Sequence, residues 1–296
     1  MRERASRRTR LTMHEEQRHR FFSLYDGVIA FSEWCALRFL PPEGGDVRVL
    51  MPFLPRFAGP DGAISPGMAA GLADVIAGQA SVPAFDWTKQ VATVSLQQSV
   101  LAPIPPAKGL IGRGRTLSCC GDLAHVSMEI AAEDRPDVPL LTAQARMIAV
   151  RDVSDTAVSG RTHFPLHVDF DPDPRFGPEG METTPVANGL QGRLPYQAHF
   201  MGNASRNALH GGLIAAALYT AAERYGASLA DPLKALDSTV DFLATGRPRD
   251  LDIRIQAERT GRRIAFLTGH ALQAHPEGGE PVVVARLSAT LGKLGP

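Results

Sequence analysis

Apolar and polar positions along the chain fall into two similar runs of elements. From residue 15 to about 34, Phe21, Leu24, Tyr25, Val28 and Phe31 recur at three- and four-residue spacings, which predicts an amphipathic helix. CALRFL and VRVLMPF flank the turn sequence PPEGGD and predict a β-hairpin. Residues 66–79, PGMAAGLADVIAGQ, open on a proline suited to a first helical turn and are then small and apolar, so they predict a buried helix. ATVSLQQSVLA, GLIGRGRTLSC, LAHVSMEIA and LLTAQARMIAV follow as strands, the first two separated by the turn PIPPAKG.

Residues 152–188 lack this periodicity. They are rich in Asp and Pro and read as a linker, with one short strand near 167–170. The sequence HFP at 163–165 is similar to a dehydratase motif, but no Pro-Gly helix start follows it, and it reads as loop. Beyond the linker the order of elements returns. LPYQAHFM predicts a strand, NASRN a loop, and HGGLIAAALYTAAERY over 210–225 a helix that is apolar nearly all round. KALDSTVDFLA, LDIRIQAER, IAFLTGHALQ and PVVVARLSATL predict four strands, and LDIRIQA alternates as a half-buried antiparallel strand does. Strand, buried helix and four-strand meander thus occur twice, about 145 residues apart, which is the mark of an internal duplication. An antiparallel sheet must cover its apolar face, and each half offers one apolar helix for it to wrap. The expected fold class is α+β. Its parts are a disordered basic tail over 1–14, one domain over 15–151, the linker over 152–188 and a second domain over 189–296.

Composition narrows the function only by exclusion. The 296 residues carry 31 basic and 31 acidic side chains, so no net field favours nucleic acid or an acidic membrane. MRERASRRTR at the start is the exception; it reads as a tail, or as a start codon assigned upstream of Met13. No apolar core follows those arginines as in a secretory signal, and no apolar run is expected to reach the length of a membrane span. Cys35, Cys119 and Cys120 are too few for a disulfide frame or a zinc site, and a cytoplasmic location is expected.

Candidate chemistry begins at His210-Gly211-Gly212, a helix start whose first N–H groups are uncovered and suited to an oxyanion. This helix start resembles that of the hotdog-fold acyl-CoA thioesterases, in particular the phenylacetate-degradation type. STVDFLATGRP and RTGRRIAFLTGHA in the second half resemble them too, as does LRFLPPEGGDVRVLMPFLPRFAGPDGAISPGMAAGLAD in the first. The resemblance spans about residues 30–150 and 188–292 and implies two tandem hotdog domains, each an antiparallel sheet wrapped around a central apolar helix.

It also implies site positions: a carboxylate nine residues after the motif histidine, and the first glycine's N–H as the donor that polarises the thioester carbonyl. In the first half these positions fall on Asp74 and Pro66, and proline has no N–H to give. In the second they fall on Tyr219 and Gly211. Each half therefore keeps one part and has lost the other. Gly211 and Tyr219 lie about 12 Å apart along a helix axis, so one carbonyl cannot meet both ends of one helix. A site must be composite, and Asp74 with Gly211 makes the complete pair.

The other assignments follow from the same resemblance. His210 is a candidate for orienting substrate, or a plain helix cap. Asn203 or Asn207 is the candidate loop amide, and Gly212 lies beside the donor. Arg247, Arg249, Arg262 and Arg263 are candidates for the phosphates of coenzyme A, or solvated hairpin ends. Tyr219 and Glu223 would fill the defunct site. The small residues Ala69, Ala70, Ala73, Ala215 and Ala216 are expected to leave room for an acyl tunnel. No metal or separate cofactor is implied, coenzyme A being part of the substrate, and two such chains could pair as a homodimer. The alternatives are an acyl-CoA or acyl-carrier binding module without catalysis, and a hotdog hydratase or dehydratase working through His210 and Asp74.

Overall fold

The computed structural model describes residues 29–152, 177–203 and 206–294. The basic tail, the 163–165 triplet, the 167–170 strand and most of the first helix lie outside the described residues; that helix is represented by α1 (Ala30–Trp34). The predicted hairpin is β1 (Arg38–Glu43) and β2 (Asp46–Met51), turning at Gly44 and Gly45, both with positive φ. The first buried helix is α2 (Pro66–Ser81), capped by Ser65, whose hydroxyl accepts from the Met68 N–H. After it come β3 (Lys89–Val100), β4 (Leu110–Cys120), β5 (Leu123–Ala132) and β6 (Pro139–Asp152).

The second half runs β7 (Glu182–Val186), β8 (Gly189–Leu194), β9 (Met201–Asn203), β10 (Ala208–Leu209) and α3 (Gly211–Ser228). It ends with β11 (Lys234–Phe242), β12 (Leu251–Thr260), β13 (Ile264–Gln273) and β14 (Val282–Gly292). Two local readings need correction. LPYQAHFM is not one strand: β8 stops at Leu194, Pro195 cannot donate to a ladder, and Ala198–Phe200 forms a 3-10 turn before β9. β7, paired with β8, falls in the stretch read as linker.

Twelve strands form one antiparallel sheet in the order β1-β2-β4-β5-β6-β3-β11-β14-β13-β12-β8-β7. The four strands after each helix are therefore not a simple meander. β3 pairs with β6, not with β4, and β11 likewise pairs with β14. The 101–109 connection, with Pro103, Pro105 and Pro106, is far longer than a tight hairpin loop and spans to the distant strand. This placement leaves β3 and β11 as inner edges. They pair with each other, Val240 opposite Leu96 and Ser238 opposite Gln98, and close the two repeats into a continuous sheet.

Each repeat's sheet wraps its own helix, and the helices meet at the centre of a single apolar core. On β4, Gly112 and Gly114 face Ile76 so closely that a Cβ at either would stand 2.2 or 2.4 Å from its side-chain carbons, which is why GLIGRGR carries glycines mid-strand. Between the helices, a Cβ on Gly212 would lie 2.9 Å from the Gly71 Cα, and one on Gly67 2.7 Å from the Ala216 carbonyl oxygen. Residue numbers rise along α2 as they fall along α3, so the helices run antiparallel in close backbone contact. Contrary to expectation, Pro66–Phe85 is long and apolar enough by composition to cross a membrane, but 78% of that window is buried inside the protein.

Candidate active site

The antiparallel crossing brings the end of α2 that carries Asp74 to the start of α3. Asp74 is 6% exposed. Its Oδ2 would stand 3.0 Å from a Cβ built on Gly211, and its Oδ1 3.4 Å, so only glycine leaves the carboxylate where it is. Thr93 of β3 donates to Asp74 Oδ1 at 2.5 Å. Asp74, Thr93, His210 and Gly211 line one cavity of about 370 Å³. Among the described residues the Gly211 N–H has no acceptor, whereas the Leu213 and Ile214 N–H groups bond the His210 carbonyl.

His210 sits in the N-cap position of α3, and its Nδ1 accepts from the Gly212 N–H at 3.0 Å. Its ring stacks on Phe31 of α1, with centroids 4.3 Å apart. Burial pushes the imidazole below its ordinary value, against the pull of Asp74. Burial thus favours the neutral ring, and with Nδ1 accepting from Gly212 its proton lies on Nε2. The 3.3 Å approach of Nδ1 to Asp74 Oδ2 is then a contact between two acceptors. His210 caps the helix and fixes its first turn, and Gly212, whose N–H it takes, has no donor left for a ligand.

The remaining candidates do not gather there. Asn203 belongs to β9, and its side chain lies outside what the structure describes. Asn207 is exposed at φ 51° and lines a separate surface groove with Arg247, Arg249 and His275. Arg247 donates to the Arg206 carbonyl and Arg249 to the Ala274 carbonyl. Thr245 lines both the groove and the cavity, so the two meet. Arg262 and Arg263 are exposed at the β12–β13 turn, the opposite end of β12 from Arg249. At about 3.3 Å per residue that strand separates them by roughly 30 Å, so Arg262 does not converge with the others. The five alanines expected around an acyl tunnel are fully buried in the core, and none lines the cavity.

Thr93 and Arg206 are among the cavity residues that escaped the sequence reading. Thr93 could be found only by its partner, since a threonine in a strand carries no signal of its own. Arg206, which also lines the cavity, sat in a loop read as NASRN. Thr93→Val should lower kcat by about tenfold through loss of a charge-assisted hydrogen bond that holds Asp74. Thr93→Ser should restore it; a purely structural role would show instead as a lower Tm with kcat intact.

The equivalent positions at the other end of the helix pair are differently furnished. Tyr219 packs against Gly67, its hydroxyl buried with no partner among the described residues, and burial pushes the phenol well above its usual value. Ser238, at the same place in its repeat as Thr93, is likewise buried without a partner. Pro66 opens the facing helix. Glu223, the nearby acid, is committed: its Oε1 accepts from the Ala235 N–H, and burial raises it above the ordinary carboxylate range.

Comparison with known proteins bears on the second repeat's sequence and on the fold. Residues 201–292 match the model of the acyl-CoA thioesterase N-terminal domain, here on the repeat that carries His210–Gly212. The match covers about a third of the chain. Its double-hotdog architecture is shared by several solved structures. The tesB protein of Mycobacterium avium subspecies paratuberculosis is 12% identical, with a TM-score of 0.60 over 90% of this chain and 99% of that one. A putative thioesterase II from Thermobifida fusca is 13% identical, with a TM-score of 0.61 over 90% and 97%. The acyl-CoA thioesterase II TesB2 of Mycobacterium marinum is 15% identical, with a TM-score of 0.55 over 89% and 96%. No curated protein matches the sequence.

Proposed function

We propose that this double-hotdog chain hydrolyses the thioester of an acyl-CoA at one composite site per chain. The observation that carries this reading is the meeting of Asp74 from one repeat with the open helix start at Gly211 of the other, in a single cavity. The Gly211 N–H, at the positive end of α3, stabilises the carbonyl oxygen as it becomes anionic. Asp74, held by Thr93, acts as general base toward water or as the nucleophile. Water's oxygen ends on the acyl carbon, the C–S bond breaks, and the thiolate of coenzyme A leaves and takes a proton. Arg247 and Arg249, in the groove that meets the cavity at Thr245, each retain N–H donors for the coenzyme's phosphates. No cofactor enters this chemistry. Three unpaired cysteines, two of them exposed, suit a reducing cytoplasm.

The test is thiol release from a series of acyl-CoAs. Turnover supports the reading. Thermal stabilisation by acyl-CoA without thiol release would replace it with a binding module. The contact between His210 and Asp74 favours a hydratase as the second reading, but Nδ1 is already occupied by Gly212. Water addition to an enoyl-CoA without thiol release would establish it.

A further inference from the structure

Helix α2 contains three glycines after its first residue, and two have a visible reason. A Cβ on Gly67 would meet the Ala216 carbonyl of α3 at 2.7 Å, and one on Gly71 the Phe31 ring at 3.1 Å and the Gly212 carbonyl of α3 at 3.5 Å. Gly78 has none: a Cβ there would meet nothing within 4 Å. Its φ is not in the region that favours glycine, and the helix continues to Ser81. Glycine inside a helix is destabilising relative to alanine, so the packing of this chain gives position 78 no ground for it. What Gly78 does border is the cavity that holds Asp74 and Gly211.

Grouped by chemistry, the residues that line the cavity form two limbs. One is apolar, formed by Val75 and Gly78 of α2 and Val82 just past its end, with Val91 of β3 and Met147 of β6. The other, at Arg206 and Thr245, leads to the groove of Arg247 and Arg249. Asp74, Gly78 and Val82 follow at four-residue steps on one helix face, so the apolar limb runs along α2 away from the carboxylate. Gly78 stands about 6 Å and Val82 about 12 Å beyond Asp74 along the axis.

We infer that the acyl chain of the substrate lies in this apolar limb, passing over Gly78, and that the missing side chain there sets the acyl length accepted. The inference rests on the thioesterase reading above. A charged coenzyme belongs in the basic limb and a hydrocarbon tail in the apolar one. A side chain at position 78 would point into unoccupied space without disturbing the fold, and would take the room of the tail's methylenes.

The experiment compares wild type with Gly78→Ala and Gly78→Leu on acetyl-, butyryl-, octanoyl- and palmitoyl-CoA, with melting curves for each. Gly78→Leu should lower the ratio of kcat/KM for octanoyl- and palmitoyl-CoA to that for acetyl-CoA on the order of tenfold or more. Gly78→Ala should shift the ratio less and raise Tm by about 2 °C. An unchanged ratio in both variants, or an equal fall on every substrate with a lowered Tm, overturns the role of Gly78 while leaving the thioesterase reading intact. Absence of thiol release by the wild type on all four substrates overturns that reading, and this inference with it.

Discussion

Replacing Asp74 with asparagine should reduce thiol release by two to four orders of magnitude, about the range by which a positioned base accelerates a reaction. The substitution keeps shape and removes charge and basicity. Thr93 can still donate to the side-chain oxygen of an asparagine, which replaces the carboxylate without change of size. The fold should therefore hold, with a Tm within a few degrees of wild type. The measurement is kcat with any accepted acyl-CoA, beside a melting curve. Full activity in a folded Asp74→Asn protein would remove the carboxylate from the mechanism, whichever of its two chemical roles it was given.

The second large effect is expected at Gly211. Gly211→Pro deletes the proposed oxyanion donor yet suits a first helical position, as Pro66 does in the other repeat. Loss of one such donor costs about 10²–10³ in kcat. Geometry adds a complication, because any Cβ at Gly211 approaches Asp74 Oδ2 to 3.0 Å and Phe242 to 3.4 Å. Gly211→Ala is thus the necessary partner experiment: it keeps the N–H and adds only the crowding. If proline is slower than alanine by tenfold or more, the N–H itself stabilises the transition state. Equal rates in the two variants would leave crowding of Asp74 as the whole effect.

Elements with strong local signals were legible in the chain. The two helices, the glycine turn at Gly44-Gly45 and the alternation of LDIRIQA follow from backbone sterics and periodicity that act within a few residues. The absence of a donor at Pro66 was legible because proline's missing N–H is a property of the residue itself. β7 went unread because Glu182–Val186 is largely exposed, with no apolar face to mark it as strand. Thr93 and Gly78 went unread for a related reason: a threonine or a glycine has meaning only through what it faces.

By itself, then, the sequence determined the duplication, the two buried helices and the chemical content of each helix start. Only the tertiary structure decided how those starts meet. Glycine contacts between α2 and α3 set their antiparallel register, and that register lays Asp74 against Gly211 and Tyr219 against Gly67. Placing β3 beside β6 and β11, instead of beside β4, joins the two sheets and presents Thr93 to the carboxylate. Such choices depend on pairings between residues far apart in the chain, which local propensity does not encode, because their energy arises only when both surfaces are packed together.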